Sequence, residues 1–264
     1  MRKETLTVLI TGANSGIGKA VREKFLSENH VVYGIDLVEG ENIFSADVTC
    51  ENSLLKIKEE FIQKGIKFDL ILNFAGIHIM ASFLEEDFSK IKRLFEINLL
   101  GTILVNKTFY PLLTKKGKIL VTSSEVASFD PLPFNGVYSV SKTAIDSYAQ
   151  VLRQELNLLG QKVITLRPGA VETSLSKGSL TATEKLVEKT VLFKNESKHF
   201  LTITKKFMGK PITTTKLANF VYKISTKKRP KPIYSIHRNF GLVLLSILPK
   251  SWQCSIVKML LKRK

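Results

Sequence analysis

Across the first 170 residues, short apolar runs alternate with segments in which apolar side chains recur every three or four positions. The runs Leu6–Thr11, Val31–Asp36, Phe68–Asn73, Lys118–Ser123 and Val163–Arg167 are short and nearly continuous, so they predict strands buried on both faces of a parallel sheet. Between them, 16–28, 51–64, 87–113 and 138–159 predict helices. In the last, Ile145, Tyr148, Leu152, Leu156 and Leu159 mark the face turned to the sheet. A helix over 216–225 and a strand over Pro232–Ile236 continue the series. Alternation of this kind predicts an α/β fold, a doubly wound sheet with helices on both faces. No repeat or low-complexity linker interrupts it, so residues 1–264 are expected to form a single domain.

From Ala170 to Thr215 the periodicity weakens, with one helix suggested near 184–192. Ligands of open α/β sheets bind beyond the carboxyl ends of the strands, where a segment leaving Arg167 would lie. Residues 170–215 are therefore expected to form a lid over a substrate. Near the end, Phe240–Leu248 is apolar but only nine residues long before Pro249, too short to cross a bilayer. Beyond it Trp252, Ile256, Val257, Met259, Leu260 and Leu261 are mixed with lysines, completing a basic apolar tail over 240–264.

Composition adds a location and a charge asymmetry. A hydrophobic fraction of 44% excludes a disordered chain. The two cysteines, Cys50 and Cys254, have no metal-ligand spacing, and Leu6–Ile10 is too short for the core of an export signal, so a reducing, cytoplasmic location is expected. The net charge of +17 is concentrated after residue 193, where seventeen lysines and arginines face one acid, Glu196. An amphipathic basic tail suits peripheral contact with an anionic membrane, to which Lys227-Lys228-Arg229-Pro230-Lys231 would add. The competing arrangement packs the tail on its own domain or on a partner subunit. No nucleic-acid-binding module or stacking motif accompanies the charge, so nucleic acid is not an expected partner.

Candidate chemistry begins at Thr11-Gly12-Ala13-Asn14-Ser15-Gly16-Ile17-Gly18, which joins the first strand to the first helix. Glycines there let a pyrophosphate approach the backbone, and the helix N-terminus presents N–H groups to it. Asp36 ends the second strand, where a carboxylate can accept hydrogen bonds from both adenosine ribose hydroxyls and repel a 2′-phosphate. Neither Ser15 nor Leu37 supplies a compensating cation, so NAD is the expected cofactor rather than NADP. Asp47 and Val48 are placed to contact adenine. Tyr138 and Lys142 stand four residues apart on one helical face, so that the ammonium would lower the tyrosine pKa and Tyr138 would exchange a proton with an alcohol or ketone oxygen.

The chain resembles the short-chain dehydrogenase/reductase family through Thr11-Gly12-x-x-x-Gly16-x-Gly18, Asn73-Phe74-Ala75-Gly76, Asn98, Ser123-Ser124, Tyr138-x-x-x-Lys142 and Pro168-Gly169, in that order. The resemblance implies a Rossmann-like, seven-stranded parallel sheet with the lid after strand six, and assembly as a homodimer or homotetramer. It implies a tetrad of Asn98, Ser124, Tyr138 and Lys142: Ser124 bonds the substrate oxygen, Lys142 also holds the nicotinamide ribose, and Asn98 keeps a relay water. Cofactor contacts are implied for Gly12, Asn14, Ser15, Gly16, Ile17 and Gly18, then Asn73, Ala75 and Gly76, then Pro168 and Gly169, with Val171 and Thr173 at the carboxamide.

Three features depart from the family pattern. Phe74 replaces a second Asn, leaving the local strand-stabilising hydrogen bonds in question. The interval from Asp36 to Asp47 leaves little room for the usual helix. Ser124 and Tyr138 stand 14 residues apart, one more than is common, so Ser123 is an alternative to Ser124.

Ile77, Ile79, Met80, Phe129, Leu132, Phe134, Leu175, Leu192, Phe193 and Phe207 suggest an apolar pocket for a steroid, bile acid, retinoid-like or long-chain alcohol or ketone, or else core and subunit contacts. Thr213-Thr214 to Tyr234 also resembles steroid-type, hydroxysteroid dehydrogenase-like branches of the family. His30, His78, His199 and His237 are isolated and fit no metal-ligand spacing, so no metal is expected. Ser124 lacks the Gly-x-Ser-x-Gly turn of acyl-transfer enzymes. A nucleotide-binding regulatory or interaction protein on the same fold is the alternative, and the intact tetrad argues against it.

Overall fold

The computed structural model describes residues 4–172, 174–207, 211–237 and 239–262, with the side chains of 174–180 and 207 outside the description. Seven parallel strands form the main sheet: β1 (Thr7–Thr11), β2 (Val31–Asp36), β3 (Ile43–Ser45), β4 (Phe68–Asn73), β5 (Leu113–Thr122), β6 (Lys162–Pro168) and, after the short pair β7 (Val171–Glu172) and β8 (Ile212–Thr213), β9 (Ile233–Ile236). Their order is β3-β2-β1-β4-β5-β6-β9, so the connections reverse direction beside β1. Such a reversal opens a crevice at the carboxyl ends.

Helices α1 (Gly16–Ser27), α2 (Glu51–Gln63), α3 (Phe88–Phe95), α4 (Thr102–Phe109) and α5 (Gly136–Leu158) follow in chain order. Strand residues alternate between two cores. Val8 and Ile10 of β1 and Leu120 of β5 pack with Val21 and Phe25 of α1. Leu9, Ile119 and Val121 face the other way, toward Leu54 and Phe61 of α2 and Ile145 and Leu156 of α5. Apolar residues on successive strand positions are thus buried on both sides, as a covered parallel sheet requires. Phe61 anchors the second core, with ring centroids 4.9 Å from Phe44 and 5.1 Å from Phe68.

The expected helix over 87–113 is broken. After α3, residues Glu96–Gly101 form a π-helix, α4 follows, and a 3-10 turn containing Pro111 ends the run before β5 starts at Leu113. Proline cannot donate into a continuing helix, which accounts for the stop. The wide turn leaves Asn98 buried while Leu100 faces outward. No helix separates Asp36 from Asp47, as the short interval suggested; Gly40 and Ile43 form a bridge instead.

Beyond β7 come α6 (Ser174–Lys189) and α7 (Lys194–Phe207), longer and more regular than the single helix suggested near 184–192. Leu186 and Phe200 of this pair bury themselves with Met80, Phe134 and Leu261 in a third cluster. Then α8 (Thr214–Ser225) packs beside α1, and α9 (Phe240–Ser246) and α10 (Lys250–Leu261) close the chain. One face of α10, carrying Gln253 and Leu261, is buried, while Lys250 pairs with Asp130 and Gln253 Nε2 donates to the same carboxylate at 2.7 Å. The tail is therefore packed on its own chain along one side. Among the described residues, no helix is long and apolar enough to cross a membrane.

Candidate active site

The carboxyl ends of β1, β2, β4, β5 and β6 surround a cavity of about 740 Å³. Its wall at β1 is backbone. Gly12 has φ +69°, and a Cβ there would stand 2.9 Å from Ala75 N. A Cβ on Gly18 would overlap the carbonyl oxygen of Gly12. Only glycine satisfies both positions, so the turn and the first helical residues line the cavity without side-chain bulk. Ser15, Gly16 and Ile17 lie on the same wall, and the Ser15 side chain does not cap α1. A helix N-terminus bared this way is suited to the pyrophosphate of a dinucleotide, so these residues fit the cofactor expected from the sequence.

Asp36, Asp47 and Val48 line the cavity together. Asp36 accepts from Asn14 N at 2.8 Å and Leu37 N at 2.7 Å, which fixes the carboxylate at the strand end. Asn14 itself is not on the wall: its side chain donates to Val38 O at 2.5 Å and braces the loop. Asp47 accepts from Thr49 N at 2.9 Å and pairs with Arg93, a wall residue that the sequence did not single out. Burial raises the Asp47 carboxyl pKa, but the bonds from Thr49 and Arg93 outweigh it and hold it low.

Behind the wall, Asn73 and Asn98 tie elements together and do not line the cavity. Asn73 Nδ2 donates to Asn106 Oδ1 at 2.9 Å and Leu120 O at 3.1 Å, so cross-strand bonding survives with Phe74 in place of a second Asn. Its side chain is thus engaged within the protein rather than turned to the cavity. Asn98 Oδ1 accepts from Ile77 N at 2.8 Å, and Nδ2 donates to Ile77 O at 2.9 Å, clamping the wall segment that follows Gly76. Ala75, Gly76 and Ile77 are on the wall itself.

Ser124 lies beside Tyr138 and is hydrogen-bonded to it, whereas Ser123 Oγ donates to Lys142 O at 3.1 Å and is buried against α5. Tyr138 and Lys142 share one face of α5, with Lys142 Nζ 5.6 Å from the Tyr138 ring centroid and donating to Thr122 O at 3.1 Å. Tyr138 is half-buried on the cavity wall, and burial pushes its phenol up to about 12, opposed only by the bond with Ser124. The expected lowering of that pKa is thus reversed, because loss of solvent outweighs the bond with Ser124. Burial likewise pushes Lys142 down to about 8.

Pro168, Gly169 and Val171 complete the wall, while Thr173 lies outside the described residues. His78, Glu125 and Asn135 also line the cavity, and none of them was singled out as a site residue. Of the apolar residues expected there, Ile77 lines the cavity, but Met80, Phe134 and Phe193 belong to the third core cluster and Leu192 is exposed. The side chains of Leu175 and Phe207 are outside the description. Among the described residues, no group of three His, Cys, Asp or Glu could hold a metal.

Residues 6–184 match the family model described as short chain dehydrogenase. The chain belongs to the short chain dehydrogenase family. It is similar to a 3-ketodihydrosphingosine reductase from Bacteroides thetaiotaomicron, 30% identical over 64% of this chain and 65% of the reductase, just under two thirds of that protein's length. It is also similar to an NADPH-dependent 1-acyldihydroxyacetone phosphate reductase from Schizosaccharomyces pombe, 29% identical over 70% of this chain and 67% of that one. Among solved structures, a short chain dehydrogenase family protein from Francisella tularensis superposes with a TM-score of 0.73 at 26% identity, covering 88% of this chain and 97% of its own. The chain is accordingly an oxidoreductase with the Rossmann-like sheet of that family.

The buried ammonium makes a stability prediction. Lys142 has a folded pKa of about 8 against an ordinary value of 10.5, so between these values the unfolded chain binds more protons and stability rises with pH. At pH 7 the Lys142→Met variant is expected to be more stable than the native chain by about 1–3 kcal/mol, read as a higher urea midpoint. Its rise in stability between pH 8 and 10.5 is expected to be reduced. A lower midpoint at pH 7 would show that the ammonium is not strained by burial.

Proposed function

We propose that this chain is an NAD-dependent oxidoreductase interconverting an apolar secondary alcohol and its ketone, with Tyr138 as the proton-transfer group. The observation that carries the reading is the meeting of Ser124, Tyr138 and Lys142 on one cavity wall with the glycine turn and Asp36. Nicotinamide, when bound, supplies or accepts the hydride. The turn from Gly12 to Gly18 would seat the pyrophosphate, and Asp36 the adenosine ribose. Pro168, Gly169 and Val171 stand where the nicotinamide end would lie.

Ser124 would orient the substrate oxygen toward Tyr138. With its pKa raised to about 12, the Tyr138 hydroxyl stays protonated near neutrality and is loaded to donate to a carbonyl oxygen. The phenolate so formed lies over the Lys142 ammonium, whose own pKa near 8 leaves it able to return a proton. In the oxidative direction the same path runs backwards. Asn98 acts at one remove, by holding Ile77 and the wall.

NAD is favoured over NADP because Asp36 would repel a 2′-phosphate, and the Arg93 guanidinium nearby is already paired with Asp47 and lies 3.8 Å from Glu96. The fission-yeast relative's NADPH dependence belongs to that protein. A lipid-like substrate is supported by the names of both relatives and by Ile77, Val126 and Val171 on the wall. Residues 170–215 serve as its lid in this reading. A homodimer or homotetramer is supported by exposed Val140, Val151 and Leu158 on α5. Contact with an anionic membrane is supported by exposed Phe240 and Leu244 on α9 and Ile247 just after it, with Trp252 and Lys258 exposed on α10.

Tyr138→Phe is expected to lower turnover of an apolar ketone by at least about a hundredfold while leaving NADH affinity within about threefold by calorimetry. Unchanged turnover would sink the mechanism. The native chain is expected to bind NADH at least about tenfold more tightly than NADPH, and Asp36→Ala to narrow that gap; equal native affinities would refute the role of Asp36. In cosedimentation, the chain is expected to bind phosphatidylglycerol vesicles at low salt, and a Phe240→Ser, Trp252→Ser double variant to stay in solution. Equal behaviour of the two would exclude the tail as a membrane contact.

A further inference from the structure

His78 is a wall residue that the proposed chemistry leaves unused. It follows Gly76 by two positions, in the segment that Asn98 clamps at Ile77. Its ring stands edge-on to Tyr138, with centroids 4.5 Å apart and planes at 86°. Nε2 lies 3.0 Å from Asn135 Oδ1, in the residue that precedes α5. An amide oxygen only accepts, so Nε2 is the protonated nitrogen and donates to it. Burial lowers the His78 pKa most, the Asn135 bond opposes this, and nearby Lys142 adds to the lowering, so the balance favours the neutral ring.

The consequence is a single acceptor. In a neutral ring protonated at Nε2, Nδ1 carries a lone pair, and among the described residues it has no hydrogen-bond partner. His78 lines the cavity, so this acceptor is available to a donor that a ligand brings in. We infer that His78 selects substrates bearing a hydrogen-bond donor, a hydroxyl or ammonium group, on the carbon next to the one that reacts. The placement beside the Tyr138 ring sets that adjacency: a substrate oxygen held by Tyr138 and Ser124 brings its neighbouring carbon toward His78. The substrate class is then an apolar chain with a polar group vicinal to the reacting ketone or alcohol, not an isolated ketone. This rests on the proposed alcohol–ketone chemistry and adds to it a choice among substrates.

His78→Phe keeps an aromatic ring edge-on to Tyr138 and removes the acceptor. The probes are a long-chain aliphatic 2-ketone and its 1-hydroxy derivative, with NADH, on the full chain. The native protein is expected to prefer the hydroxyketone by at least about tenfold in kcat/KM. H78F is expected to lose that preference through the hydroxyketone alone, leaving the simple ketone within about threefold. His78→Gln, which retains an acceptor, is expected to recover part of it, and NADH affinity measured on each variant reports whether the fold is kept. Native turnover without a hydroxyl preference, or an equal fall on both ketones in H78F and H78Q, would overturn the inference and leave the proposed function standing. Native failure to reduce either ketone would overturn both.

Discussion

The close approach of two backbone segments, at the ends of β1 and β4, is the constraint on which the cleft depends. Gly12 turns with positive φ directly against Ala75, and Thr11 Oγ1 accepts from both Phe74 N and Ala75 N at 3.2 Å. Gly12 N in turn donates to Ile35 O at 2.9 Å, joining the end of β2 to the same knot. A side chain at Gly12 or Gly18 would push these segments apart. The turn leads straight into α1, whose first residues form the cavity wall. Sheet order then places Asp36 on one side of this knot and Ser124, Tyr138 and Lys142 on the other.

At the second side the organising force is desolvation. Lys142 is buried with a carbonyl, Thr122 O, as its bonded partner, and the Tyr138 hydroxyl is bonded to Ser124. Each group is driven toward its neutral form, the lysine downward and the tyrosine upward. Such an arrangement costs stability and, in the proposed chemistry, readies Tyr138 to pass a proton to a substrate oxygen and Lys142 to replace it. The π-helix at Glu96–Gly101 belongs to the same design, because it keeps Asn98 buried where its amide can grip Ile77.

Local sterics and periodicity made much of this legible in the sequence. The glycine turn could be read because its requirement is a property of the backbone at Gly12 and Gly18. Strands could be read because burial on both faces leaves an unbroken apolar run. The break in 87–113 could not, since an added residue in one helical turn answers to Asn98 and its distant partner Ile77. Helix α7 escaped for a similar reason: its sequence is polar, and Phe200 and Ile203 find their partners in α6, α10 and Met80. Arg93 pairs with a carboxylate 46 positions away, and His78 gains meaning only beside Asn135 and Tyr138. The resemblance implies cofactor contacts for Asn14 and Asn73, whose side chains bond within the protein.

In the proposed reaction this cavity carries a hydride between a nicotinamide and a substrate carbon. NADH deuterated at one or the other hydrogen of nicotinamide C4, supplied in ordinary water with a long-chain ketone, tests it directly by mass spectrometry of the alcohol formed. One of the two labelled forms is expected to deliver a single deuterium to the carbinol carbon and the other none. Alcohol free of deuterium from both forms would contradict it.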